Sequence, residues 1–191
     1  MILNDTKIAE LTMYENLFTS FVGIKYSFVR GENVASFGLG SCSYDLRLSD
    51  NGCKKIVNSG VIDIKEPKGI ITEDIKKECD SSGSFYILEP QTHYLVSVVE
   101  KIKMPTNLAG ILLGKSTYNR VGLLAQSALV DPGREGFLSI SLFNSNRTPL
   151  KIYINEGIIQ IVFINLNDIP YAPYDGKYQN QVKAPLHSAF K

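Results

Sequence analysis

The chain has 191 residues, about the length of one domain and enough to bury a core without disulfide staples. With 20 basic residues against 19 acidic ones, its formal charge of +1 provides no global field to gather nucleic acid or anionic lipid, so any polyanion must be bound locally. Cys42, Cys53 and Cys79 show no CxxC or other metal-type spacing and read as free thiols of a reducing compartment. No apolar run reaches the roughly 20 residues of a membrane span, and no basic-then-apolar leader opens the chain, so a cytoplasmic protein with no membrane partner is expected.

Asn4 or Asp5 can cap a short helix whose apolar positions Ile8, Leu11 and Leu17 fall near one face. From Ser41 onward, short β-type runs alternate with Gly, Pro, Asn and Asp: Ser43–Leu48, Lys55–Val57, Phe85–Leu88, Tyr94–Val99, Gly110–Leu113, Phe137–Phe143, Lys151–Ile154 and Ile158–Ile164. So many short strands predict a β-sandwich or barrel-like core. The charged segment Thr72–Cys79 reads as a brief helix or loop insertion. Neither a repeat nor a second-domain linker is present. The last twenty residues, with Pro170, Pro173, Gly176 and Pro185, read as an extended arm that leaves the core.

Two strands carry polar residues that the apolar pattern does not require. In Phe137–Phe143, Leu138, Ile140 and Leu142 share one face, which puts Ser139 and Ser141 on the other, facing a cavity. Gln160 interrupts an otherwise apolar run and needs hydrogen-bond partners wherever it is buried. His93 and His187 sit in no ligand or triad pattern and read as surface or loop residues. Cys42, between two serines, reads as a small buried residue.

The densest chemistry lies in Gly114-Lys115-Ser116-Thr117 with Arg120-Val121-Gly122-Leu123, followed by Val130-Asp131-Pro132-Gly133-Arg134-Glu135-Gly136. An ammonium, two hydroxyls and a guanidinium lie close together beside one carboxylate, in loops rich in Gly that can turn backbone N–H groups toward an anion. The pattern points to a nucleotide site.

Six ordered segments across the length resemble the dCTP deaminases of the trimeric dUTPase superfamily. They are Met1-Ile2-Leu3-Asn4-Asp5, Ser43-Tyr44-Asp45-Leu46-Arg47-Leu48, Met104-Pro105-Thr106-Asn107-Leu108-Ala109-Gly110, the Lys115 and Asp131 motifs, and Pro173-Tyr174 with Gly176-Lys177-Tyr178-Gln179-Asn180-Gln181. The resemblance implies a mainly β, distorted dUTPase-like barrel with short helices over 1–170 and a C-terminal arm over 171–191 that closes on a nucleotide. It also implies a homotrimer or hexamer with sites at subunit interfaces. By that analogy Lys115, Ser116 and Thr117 hold the phosphates, carried as their Mg²⁺ complex, and Arg120 reaches a neighbour's site. Asp131 sits by the sugar and orders a water, and Gln160, Tyr174, Lys177 and Gln181 close over the triphosphate.

Two departures from the family pattern bear on activity. The family's proton-shuttling glutamate, ten residues after the motif aspartate, is Ser141 here. A serine hydroxyl does not take up a proton near neutral pH as a carboxylate does, and losing a general acid/base typically costs ~10²–10⁴-fold. The HxE and PCxxC pattern of zinc deaminases is also absent, so no zinc is expected. The hairpin expected between Gly122 and Asp131 is about two residues shorter than usual, which reshapes the base pocket. Three readings follow: a protein that binds, and sequesters, a nucleotide or nucleotide-derived ligand without deaminating it, as a viral protein can; a dUTP diphosphatase using Asp131; and a dCTP deaminase.

Overall fold

The computed structural model describes residues 1–186 except 30, 59, 64 and 66–69. Asn4 caps the first helix, α1 (Asp5–Glu15), by accepting the Lys7 amide on its side chain, and Asn16 closes the helix in the left-handed conformation. Ile8 is buried, and Leu17, just past the cap, enters the core with its amide on the Leu11 carbonyl. Among the described residues no helix is long and apolar enough to cross a membrane.

Strands β1 (Tyr26–Val29), β2 (Glu32–Leu39), β3 (Tyr44–Ile56), β4 (Thr72–Asp74), β5 (Glu78–Asp80), β6 (Gly83–Leu88), β7 (Thr92–Lys103) and β8 (Leu108–Gly114) follow. After the short helix α2 (Ser116–Asn119) come β9 (Leu123–Ala125), β10 (Ala128–Val130), β11 (Glu135–Asn144), β12 (Leu150–Tyr153) and β13 (Gly157–Asn165). The protein is mainly β, as the sequence leads one to expect. One antiparallel path runs β10-β8-β13-β3-β7-β11-β9, with β2 and β4 also paired to β3 and β1 to β2, while β12, β6 and β5 form a second, small sheet.

The long path curls on itself. Its two end strands, β9 and β10, are separated in the chain only by Gln126 and Ser127, so the backbone ties one edge of the sheet to the other. The hairpin expected here is therefore corrected. Ala125 of β9 lies opposite Leu142 of β11, and Ala128 of β10 opposite Leu112 of β8. Local alternation marks both segments as strands but carries no information about their partners.

Three other readings change. The runs at Ser43–Leu48 and Lys55–Val57 belong to one strand, because a positive-φ glycine, Gly52, and a register shift between Leu48 and Cys53 let β3 continue past the polar break. Its first half pairs with β13 and its second with β7. Thr72–Asp74 and Glu78–Cys79 belong to two edge strands joined by the non-regular residues 75–77, with no helix; charged and largely exposed, the strands lack the alternation that marks a half-buried one. Cys42 is exposed in the bend before β3, and Cys53 is the cysteine the core holds, its thiol pushed up to about 12 by burial.

At the centre, Phe18 and Phe21 stack on Tyr44 with ring centroids 4.5 and 5.4 Å away. Beside them β3 and β7 share a buried charge. The fully buried Glu100 accepts Arg47 Nε at 2.7 Å and the Arg47 amide at 3.0 Å, and the Arg47 guanidinium also donates to the Ser20 carbonyl at 2.7 Å. Burial raises the Glu100 pKa, and the Arg47 hydrogen bonds oppose that rise. Removing one member strands the other in the core, so Glu100→Ala is expected to lower stability by about 3–5 kcal/mol. Urea unfolding with an unchanged denaturant slope is the check.

Candidate active site

The alternation of β11 is as the sequence implies: Leu138, Ile140 and Leu142 are buried, and the half-buried Ser139 and Ser141 line a cavity of about 400 Å³. The curl of the sheet makes this space, since Leu112 of β8 and Ile140 of β11 both line it although three strands separate them in the path. Gln126 of the two-residue link lies at its edge, and the link is held to β11 by the Gln126 amide on the Ser141 carbonyl at 3.0 Å.

The C-terminal segment closes the cavity with Tyr178, Gln181 and Leu186. Its described part lies along the start of β11 rather than away from the core. The Tyr174 amide donates to the Pro132 carbonyl, the Asn180 amide to the Glu135 carbonyl, and the Phe137 amide to the Gln181 carbonyl, at 2.8 to 2.9 Å. Gln179 accepts the Glu135 amide and donates to the Gly133 carbonyl. Gly136 admits this approach: its φ is +133°, and a Cβ there would sit 2.6 Å from the Gln181 nitrogen. Gln181 is buried and donates from Nε2 to Ser139 Oγ at 2.7 Å.

Beneath the arm lies a residue to which the sequence reading assigned no role. Arg134 is only 8% exposed, lines the cavity, and rests between the rings of Tyr174 and Tyr178, with its Cζ 5.7 and 5.9 Å from their centroids. Its Nη2 makes two long contacts of 3.4 Å, to the Phe137 carbonyl and Gln181 Oε1, and its Nε has no hydrogen-bond partner among the described residues. Burial lowers its pKa, opposed by Tyr174 and Asp131. Its signal in the sequence is its position inside the Asp131 motif. Asp131 itself is half-buried just after β10, with its carbonyl on the Arg134 amide at 3.2 Å. Among the described residues its carboxylate takes part in no hydrogen bond or close ion pair.

The expected phosphate residues sit elsewhere in the chain, and none of Lys115, Ser116, Thr117, Arg120 or Gln160 lines the cavity. Ser116, Thr117 and Arg120 are exposed together on and after α2. Lys115 points inward and is buried, its ammonium bonded to Asp45 Oδ2 at 2.8 Å, to Ser36 Oγ at 3.0 Å and to the Ser36 carbonyl. Burial lowers its pKa and Asp45 opposes that. Asp45 takes a second cation, Lys25, at 3.1 Å. Gln160 is half-buried on β13 between Leu113 and Asp45. Tyr174 accepts the Tyr178 amide on its hydroxyl, and Lys177 is exposed with its ammonium 5.0 Å from the Tyr178 ring centroid. His93 is exposed and stacks on Phe143; His187 lies outside the described residues. Among the described residues no three His, Cys, Asp or Glu side chains are grouped to hold a metal ion.

A family model described as dCTP deaminase-like matches residues 24–166. The chain is 38% identical to the dCTP deaminase of Herpetosiphon aurantiacus over 164 residues, covering 83% of this chain and 84% of that one. It is 34% identical to the dCTP deaminase of Sulfurovum sp. strain NBC37-1, covering 98% and 96%. In fold it is similar to the 2′-deoxycytidine 5′-triphosphate deaminase of Agrobacterium tumefaciens, with a TM-score of 0.59 at 18% identity, covering 85% of this chain and 47% of that one. It thus spans about half the length of that structure.

The seating of the arm is directly testable. Gly136→Ala introduces a methyl group where Gln181 lies, in a backbone conformation that L side chains rarely adopt. The expected result is faster proteolytic cleavage within 171–186, while the barrel resists digestion as before.

Proposed function

The chain belongs to the dCTP deaminase-like family, and from that premise we propose that it binds a nucleotide at subunit interfaces without deaminating it, which suits a protein that sequesters its ligand. One observation carries the reading. The described residues lining the cavity at Ser141 include no aspartate, glutamate, histidine or lysine, and their permanently charged member is Arg134. Attack of water on a cytosine ring needs a group that takes a proton from water and delivers it to the ring, and neither a guanidinium nor an ordinary serine hydroxyl does so near neutral pH.

The phosphate grip falls to Ser116, Thr117 and Arg120, whose exposure on α2 leaves them accessible to a ligand held against a neighbouring subunit. Lys115 sets the position of that turn through Asp45, and reaches a phosphate only by giving up its present partners. Lys177 and Gln181 come from the arm. Any Mg²⁺ is brought on the phosphates. A homotrimer places these groups around a second chain's cavity, and the exposed Leu113, Val121, Leu124 and Leu129 supply apolar surface for such contacts.

A diphosphatase is the second reading, favoured by Asp131, whose half-buried carboxylate is not bonded to another described side chain and can orient a water.

Incubation with dCTP or dUTP and Mg²⁺, followed by ion-exchange separation, tests both readings. Conversion of dCTP to dUTP is expected at least about a hundredfold below that of the Sulfurovum relative assayed in parallel; a comparable rate overturns the proposal. Pyrophosphate released from dUTP and lost in Asp131→Ala establishes the second reading instead. Arg120→Ala is expected to weaken nucleotide binding with the melting temperature of the free protein unchanged.

A further inference from the structure

One buried carboxylate holds two cations on the same oxygen. Asp45 Oδ2, in β3, meets the Lys115 ammonium at 2.8 Å and the Lys25 ammonium at 3.1 Å, and it also accepts the Ser36 hydroxyl at 3.0 Å. Oδ1 of the same carboxylate is buried with no hydrogen-bond partner among the described residues. A buried ion pair ordinarily stays shut because withdrawing one partner strands the charge of the other. Lys115 escapes that rule: its departure leaves Asp45 with a second ammonium, a hydroxyl and an unused oxygen.

The two lysines are not equivalent. Lys115 is buried, whereas Lys25 is exposed in the segment before β1. Burial disfavours the charge of Lys115 where it lies and the neighbouring Lys25 disfavours it further, while Asp45 and the half-buried Glu156 oppose both. The backbone of Lys115 is the N-cap of α2, so the side chain that ends on Asp45 begins beside the exposed Ser116, Thr117 and Arg120. Its flexible four-carbon stem can turn inward or toward an anion lying on α2. A terminal phosphate carries more negative charge than a carboxylate, and moving the ammonium to it also relieves that ammonium of its burial.

We propose that Lys115 is a phosphate ligand held in reserve: a polyphosphate bound at α2 draws its ammonium away from Asp45, and Lys25 keeps the buried carboxylate neutralised while it is gone. This deepens the nucleotide-binding reading and rests on it, since that reading places the phosphates at Ser116, Thr117 and Arg120. The inward placement of Lys115 and its membership of the phosphate motif are then two positions of one side chain. Lys25 is a positioning residue that acts through Asp45 without touching the ligand, and Asp45 and Ser36 are the acceptors with which the ligand competes.

Calorimetric titration with inorganic triphosphate, dCTP and dUTP, each with Mg²⁺, tests the assignment. Lys115→Gln is expected to weaken binding about tenfold, and Asp45→Asn to tighten it by about the same factor, because it removes the charge that competes for the ammonium. Ser36→Ala removes a neutral competitor and is expected to tighten binding by less. Lys25→Gln is expected to weaken binding about tenfold, and Lys25→Arg to restore it. On the Asp45→Asn background Lys25→Gln is expected to change nothing, since no carboxylate is left to neutralise. A loss of affinity there means that Lys25 meets the phosphate itself, and overturns the inference. Unchanged binding in Lys115→Gln, or weaker binding in Ser36→Ala, makes Lys115 a brace only and overturns it as well, with nucleotide binding intact. If Asp45→Asn does not fold, Ser36→Ala, which removes no charge, and the two Lys25 variants carry the test. Failure of all three probes to bind the wild type and Ser36→Ala overturns the nucleotide reading and this inference together.

Discussion

Two residues, Gln126 and Ser127, impose the geometry on which the site depends. They join strands at opposite ends of one hydrogen-bonded path, and a covalent link that short cannot be made across an open, flat sheet. The sheet must curl until β9 and β10 are neighbours. That brings β8 and β11, separated by three strands in the path, to one cavity, while the C-terminal segment covers the serine face of β11. The serines on that face line a pocket because the returning C-terminal segment lies over them, with Gln181 and the Leu186 amide on Ser139.

Within that frame the protein handles its buried charges in contrasting ways. Glu100 is fully engaged by Arg47, which joins β3 to β7 and the loop carrying Ser20. Lys115 is engaged by Asp45 and Ser36, which fixes the start of α2 against β2 and β3. Each of these cations has a carboxylate partner close by. Arg134 differs: two phenol rings, a carbonyl and an amide surround it, its Nε is buried without a partner, and Tyr174 and Asp131 oppose the effect of burial on its charge. A charge satisfied by its own chain is a strut.

Much of the strand pattern was legible because alternation is a local property. Phe137–Phe143 and Ile158–Ile164 read correctly since each has a face buried in the core. The edge strands around Thr72 and Cys79 did not, because solvent reaches most of their residues and removes the period-two contrast. β3 read as two pieces because Asp50-Asn51-Gly52 looks like a turn; a bulge at Gly52 instead carries the strand from one set of partners to another. Of the site, the serine at position 141 and its place on the polar face of β11 were visible from the sequence alone. Arg134 was not, since nothing in a one-dimensional pattern distinguishes a surface arginine from one roofed by an arm returning from some forty residues later.

The amino-acid sequence by itself determined the β character, the family, the apolar and polar faces of each central strand, and the absence of an acidic side chain at position 141, all of which depend on residue identity and short spacing. Which strands pair, which lysine is inward and occupied, where the C-terminal segment lies and which guanidinium it buries were decided only by tertiary structure. Those outcomes depend on contacts between residues far apart in the chain, and burial, which sets the energy of every charge in this molecule, exists only once those contacts are made.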